Sequence, residues 1–182
     1  MSAVPVIAMG DEEAAHRQQD LYFNELFQLK IACEYMRLYR NDLAGWVTRF
    51  AAMRAIASSG AIATSAVVKS YPLVWGGIIA ASQLADALRD VIPFTAHHKA
   101  ASALSMTLDA LLIEALYEWE SVYAARFTTQ EITDRRRKLM QLRHDAEVKH
   151  FPAGVPERKR YLAIAEDEAI SYFDAMFPGR TD

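Results

Sequence analysis

Residues 46–94 read WVTRFAAMRAIASSGAIATSAVVKSYPLVWGGIIAASQLADALRDVIPF, and what this stretch packs against decides which kind of helical protein the chain makes. Its formal charges are confined to Arg49, Arg54, Lys69, Asp86, Arg89 and Asp90. Two charge-free runs result, fourteen residues at 55–68 and sixteen at 70–85. Each is shorter than the roughly 18 apolar residues that mark a membrane span unaided. Arg54 and Lys69 flank the first run, however, and their aliphatic stems can reach toward an interface. Residues 50–69 therefore offer about 20 helical positions, or roughly 30 Å. The second arm reaches that length over residues 72–91 only by accepting Asp86, Arg89 and Asp90 near its end. Pro72 disfavours helix at Tyr71 and places the turn at residues 69–72.

Small residues recur along both arms. Ala57, Ala61 and Ser65 stand four apart on the first, with Gly60 and Thr64 beside them, and Gly77, Ala81 and Ala85 do so on the second. Such rows let helix backbones approach closely, which is the main source of helix contact in lipid. Ala57, Gly60, Ala61, Thr64, Gly77 and Ala81 are accordingly the expected hairpin-packing residues. Trp46, Tyr71 and Trp75 fall near the arm ends, where interfacial aromatics belong. The same stretch also suits a buried helical hairpin at the core of a soluble bundle, since short apolar runs rich in alanine pack well there. In the membrane reading, Arg54 and Asp86 must face a helix, water or headgroups, which makes them candidate pore-lining or helix-pairing charges.

Outward from this segment the pattern is amphipathic. Residues 11–43 contain neither glycine nor proline, and Tyr22, Leu26, Leu29, Cys33 and Met36 form one helical stripe. Residues 95–125 repeat the arrangement with Leu104, Leu108, Leu111, Ala115, Trp119 and Val122. Thr128 and Glu131 have the spacing of a capping box that opens a basic helix to about Lys149. Residues 151–156 hold two prolines and a glycine, and a final helix from about Glu157 places Tyr161, Ile164, Ala165, Tyr172 and Met176 for packing. The expected organisation is a flexible terminus at 1–10, an amphipathic helix at 11–45, the apolar hairpin at 46–94, amphipathic helices at 95–150 and a last helix and tail at 151–182. The fold class is all-α, with a transmembrane-type hairpin flanked by long amphipathic helices that form a cytoplasmic bundle.

The whole chain has 182 residues, 20 basic and 23 acidic side chains, a net charge of -3 and 52% hydrophobic residues. These values exclude disorder and a highly charged nucleic-acid-binding tail, and the net charge is too small to name a polyanionic partner; no nucleic acid partner is expected. The single cysteine, Cys33, lies on an apolar stripe and reads as a core residue. No phosphate-binding glycine loop, paired cysteines, HExxH or nucleophile elbow is present, and neither enzymatic activity nor a cofactor is expected. Glu13 with His16 and Glu147 with His150 have the Glu-x-x-His spacing of di-metal bundles, but both pairs sit in polar surroundings near helix ends and read as solvated faces, not metal ligands. Arg135, Arg136, Arg137 and Lys138 are a candidate contact for anionic lipid or phosphate; the other reading is a solvated face balanced by Glu131, Asp134, Asp145 and Glu147. Arg37, Arg40, Arg49 and Arg54 precede the hairpin and Arg89 and Lys99 follow its core, against Lys69 alone at its turn, which places both termini in the cytoplasm.

Ser58-Ser59-Gly60-Ala61-Ile62-Ala63 in the first arm, Tyr71-Pro72-Leu73-Val74-Trp75 opening the second, Ile79-Ala80-Ala81-Ser82-Gln83 after it, and then Pro93-Phe94 with a helical tail resemble the bacterial SLATT-type (SLOG-associating two-transmembrane) proteins. The resemblance covers roughly residues 21–152. It implies an inner-membrane effector of a prokaryotic antiphage or conflict system that assembles and permeabilises the membrane, in contact with lipid and often beside a nucleotide-signalling partner. With Arg54 and Asp86 close inside the arms, it further implies a homo-oligomer that shields those charges. The alternative from the residues alone is a soluble helical interaction module, an adaptor or immunity protein with the hairpin as its core.

Overall fold

A computed structural model describes residues 6–58 and 94–177, together with positions 76, 77, 80 and 83. Among the described residues the regular structure is entirely helical: α1 (Val6–Ser58), α2 (Phe94–Tyr123), α3 (Thr129–His150) and α4 (Lys159–Met176). The chain divides into two compact units, one of Met1–Tyr39 with Ala101–Asp182 and one of Arg40–Ala100.

The boundaries expected at 10/11 and 45/46 both fall inside α1, which runs unbroken for 53 residues. No proline interrupts it, and a side chain added at Gly45 would meet open space. One glycine costs a helix interior only about 1 kcal/mol, too little to end it. The division between units falls at Tyr39 and Arg40, where α1 passes from one to the other.

In the first unit, Tyr22, Leu26, Leu29, Cys33, Met36 and Tyr39 form the buried face of α1. From α2, Leu104, Leu108, Ala115, Trp119 and Val122 are buried as the spacing predicts, with Ala101 and Leu112 also in the seam and Leu111 at its edge. Ile132, Leu139 and Ala146 contribute from α3. In α4 the seam turns relative to the expectation. Ala165, Ala169 and Phe173 are buried, whereas Tyr161, Ile164 and Tyr172 are half-buried and Met176 is exposed. The two alanines let α4 lie close, and Phe173 meets Phe23 edge-on with ring centroids 5.3 Å apart.

Local chemistry sets the element ends. At α3 the capping box forms: the Glu131 N–H donates to Thr128 Oγ1, and the Thr128 N–H donates to the Glu131 carboxylate at 2.8 Å. The Thr128 N–H and hydroxyl, both donating to it, hold the Glu131 carboxyl below its ordinary pKa. α2 ends where the Arg126 N–H donates to the Ser121 carbonyl and the Ala125 N–H to that of Val122. This is a Schellman motif, and it places Ala125 in the left-handed region at φ 51°. Gly154, at φ 86°, turns the chain between α3 and α4.

Of the hairpin-packing residues, Gly60, Ala61, Thr64 and Ala81 lie outside the described residues, as does Asp86. Ala57 falls on the last turns of α1 and Arg54 on its exposed surface. Gly77 is helical and exposed, and a side chain there would meet open space among the described residues.

Candidate functional site

Four-residue spacing places Tyr35 and Tyr39 one turn apart on α1, where their rings stack with centroids 6.4 Å apart. The Tyr35 hydroxyl donates to the Pro156 carbonyl and accepts from the Arg158 N–H at 3.0 Å. One phenol thus serves the last residues of the loop and the N-cap of α4, where no side chain caps the helix. The Arg158 guanidinium lies over the rings of both Tyr39 and Tyr161, at 5.5 and 5.4 Å. Burial pushes the Tyr35 hydroxyl above its ordinary pKa, an effect the Arg158 backbone and charge oppose.

Beside this clamp opens a cleft of about 390 Å³. Its floor is apolar, with Ile31, Met36, Leu104, Leu108 and Leu162, and its polar groups are Gln28, Tyr35, Arg143, Glu147 and Glu157. Arg143 Nε stands 3.6 Å from the Glu147 carboxylate, a loose pair on an exposed helix face. The volume falls in the range of small-ligand sites, and the groups on its walls supply apolar contact, hydrogen bonds and charge. Glu147 is thereby on the cleft with Arg143 as its ionic neighbour. Among the described residues no three His, Cys, Asp or Glu side chains converge as a metal site would require.

The basic run at 135–138 is divided by helix geometry. Successive residues turn by about 100°, so four in a row cannot share one face. Arg135 Nη1 donates to Glu118 Oε1 at 2.5 Å, and its guanidinium lies 3.9 Å from the Phe127 ring centre. Glu118 also accepts from the Tyr22 hydroxyl at 3.0 Å. Burial and the Glu118 carboxylate together raise the Tyr22 pKa well above its ordinary value. Arg135 thus ties α3 to α2 and α1, Arg136 is half-buried, and Arg137 and Lys138 are the two exposed members of the run, Lys138 lining a groove with Glu114 and Glu118 of α2.

A second polar group lies within the bundle itself. The buried Glu34 carboxylate meets Lys30 at 2.7 Å and Arg37 at 2.6 Å, one turn before and after it on α1. Lys30 reaches onward over the Tyr172 ring at 4.1 Å, so the same cation joins α1 to α4. Cys33 next to it is buried, and its thiol is pushed up to about 12 by burial first and then by the Asp109 carboxylate. A thiol held protonated is not a nucleophile near neutrality.

No family model, curated protein or solved structure matches this chain. Its sites are therefore read from their own geometry.

α2 is long and apolar enough to cross a membrane, and 39% of its most apolar window is buried. Length and composition of this kind are also those of a core helix in a soluble bundle. The outward side of α2 carries Met106, Ala110, Ile113 and Tyr117, all exposed, at steps of four, three and four. This row was legible as spacing, but the stronger stripe of leucines on the same helix masks it. The cleft and the Tyr35 clamp had no such signal, because they assemble from all four helices and the loop at 151–158.

Proposed function

We propose that this protein is an inner-membrane helical effector whose apolar hairpin enters the bilayer, with both termini in the cytoplasm, and whose helical bundle drives oligomerisation that permeabilises the membrane. The role fits a prokaryotic antiphage system, with a nucleotide-signalling protein as the upstream partner. The observation that carries the reading is the concentration of apolar, sparsely charged sequence at 46–94, which falls within one compact unit, while the other unit has a buried core of its own. α2 has the composition of a span, but its buried face is part of that bundle, and Glu118 on it pairs with Arg135. The membrane contact is therefore assigned to the hairpin, not to α2. The small-residue rows and the basic flanks of the hairpin suit the same assignment.

Fractionation tests it. The protein is expected to sediment with membranes and to resist extraction by alkaline carbonate; recovery in the soluble fraction without detergent refutes the reading. The second reading, a soluble adaptor or immunity module, is favoured by the cleft of about 390 Å³ on the bundle, an opening suited to a bound segment of a partner. It requires a monodisperse species without detergent, so the same experiment separates the two.

A further inference from the structure

The cleft is a gap between two helices that touch on either side of it. Toward their amino ends the Thr133 hydroxyl of α3 donates to Gln18 Oε1 of α1 at 3.2 Å. Past the end of α3, Phe151 meets Tyr39 of α1 edge-on, with ring centroids 6.3 Å apart. Between these contacts α1 lines the gap with Gln28, Ile31, Ala32 and Tyr35, whereas α3 lines it with Arg143 and Glu147. No apolar side chain from α3 therefore fills the space over Ile31 and Ala32. Gln28 and Tyr35 are seven positions apart on α1, which gives the cleft a length of about 10 Å.

Its surfaces are of two kinds. Ile31, Val155 and Leu162 give the apolar side, over the buried Leu104 and Leu108. These are all aliphatic, a surface for branched side chains and not a stacking platform for a nucleobase. The polar wall both donates and accepts. Arg143 carries only donors and Glu147 only acceptors, one turn apart, and their 3.6 Å contact is too long for a hydrogen bond. Among the described residues Arg143 makes no other ion pair, so both groups keep capacity for a ligand. The exposed Gln28 amide offers a donor and an acceptor at the mouth.

An extended peptide matches this division. Its backbone edge carries N–H and C=O groups together, and three residues at about 3.3 Å each span the length of the cleft. Alternate side chains point the same way, so the first and third reach the aliphatic side while the second faces water. Two of the charged lining groups are carboxylates, Glu147 and Glu157, against Arg143 alone, which disfavours a free carboxylate terminus and selects an internal segment.

We infer that the cleft binds an internal, extended segment of a partner protein with aliphatic residues at alternate positions, through Ile31, Val155 and Leu162 on one side and Arg143 and Glu147 on the other. The inference deepens the second reading above and rests on it, since it specifies the segment that reading seats in the cleft. A three-residue contact is far smaller than the roughly 1,200 Å² of a stable complex, so it anchors a partner and does not hold one alone.

Disulfide tethering in the full-length chain reads such weak binding. On a Cys33→Ala background, Ala32→Cys puts a thiol on the wall of the cleft. The protein is equilibrated under mildly reducing conditions with three disulfide-activated compounds: the amide-capped peptides Leu-Ser-Leu and Ser-Leu-Ser, and an octyl chain. Capture is measured by intact mass, and folding by far-UV circular dichroism; Gln28→Cys, at the exposed mouth, takes the place of Ala32→Cys if that variant is perturbed. Leu-Ser-Leu is expected to be captured about tenfold more than Ser-Leu-Ser in the cleft, and no more than it at Gln141→Cys on the exposed side of α3. Arg143→Met with Glu147→Met is expected to remove most of the Leu-Ser-Leu capture and to leave that of the octyl chain unchanged. Equal capture of the two peptides in the cleft overturns the inference. So does octyl capture that matches Leu-Ser-Leu with neither reduced by the double substitution, which assigns the cleft to an aliphatic chain without amides. Stronger capture of Leu-Ser-Leu with a free carboxylate end overturns the choice of an internal segment. The protein is taken from the soluble fraction or from a detergent extract, whichever fractionation yields. Failed capture by a soluble, monodisperse chain removes the peptide and leaves the soluble reading standing, whereas capture by membrane-extracted protein keeps the site and removes that reading.

Discussion

Cys33 shows how a single position is governed by its surroundings. Its thiol is pushed up to about 12 from an ordinary 9.0, first by burial and then by Asp109, so the protonated form is the one the fold accommodates. A group whose pKa is raised in the folded state contributes its stability fully below the unfolded value and loses it as pH rises toward the folded one. Stability is therefore expected to fall between about pH 9 and 12, by roughly 1.4 kcal/mol per pH unit for each such group. Tyr22, raised by burial and Glu118, adds to the loss above its ordinary 10.0. Urea titrations at pH 8 and pH 10 check the slope, and Cys33→Ala is expected to reduce it. At neutral pH, alkylation of Cys33 should be slow in the native protein and fast once it is unfolded, as read by mass spectrometry. Tyr35→Phe keeps the ring in place but removes the hydroxyl from Pro156 and the Arg158 N–H; a loss of about 1 kcal/mol is expected, with faster hydrogen exchange at Arg158. Of these residues, Cys33 was legible as a core position from its stripe. The role of Tyr35 was not, because its partners lie 121 and 123 residues away.

At the level of elements, helix ends followed from sequence where the chemistry is local. The capping box of α3 is one case, and Thr128→Ala is expected to cost about 1 kcal/mol, visible as a lower thermal midpoint. Ala125 is the reverse case, a Cβ in a left-handed position that the Schellman motif of α2 requires. Ala125→Gly is expected to stabilise the protein by about 0.5 kcal/mol, the relief of backbone strain being partly offset by the freer unfolded chain. The two faces of α2 separate by the same measurement. Leu108→Ala, at 1% exposure, is expected to cost about 2–5 kcal/mol by leaving a cavity, whereas Ile113→Ala should leave thermal unfolding of the single chain nearly unchanged. Gly77→Leu tests the hairpin's small-residue row. A loss of membrane activity in a chain that still folds is the expected outcome if that row packs the hairpin, and unchanged membrane activity argues against close packing there. The reading of α4 found Ala165 but took Tyr172 where Phe173 is buried and passed over Ala169, because one alanine carries little hydrophobic signal. Burial of Phe173 against Phe23 decided the rotation.

For the whole molecule, the chain forms two compact units with edges at Tyr39/Arg40 and Ala100/Ala101. An uninterrupted α1 carries the chain across the first edge, since Gly45 alone is too weak a breaker to mark it. Helical class, the capping box, and the seams of α1 and α2 were determined by the sequence itself, because periodicity and capping act between residues three and four apart. The cleft, the Tyr35 clamp, the Glu118 network and the division of the 135–138 cations were decided only by tertiary structure. Each depends on which helix faces meet across more than a hundred residues or between neighbouring helices, and no local spacing encodes that. The outward row of α2 stands between the two: its spacing is in the sequence, but only the burial of the opposite face shows that Met106, Ile113 and Tyr117 face outward.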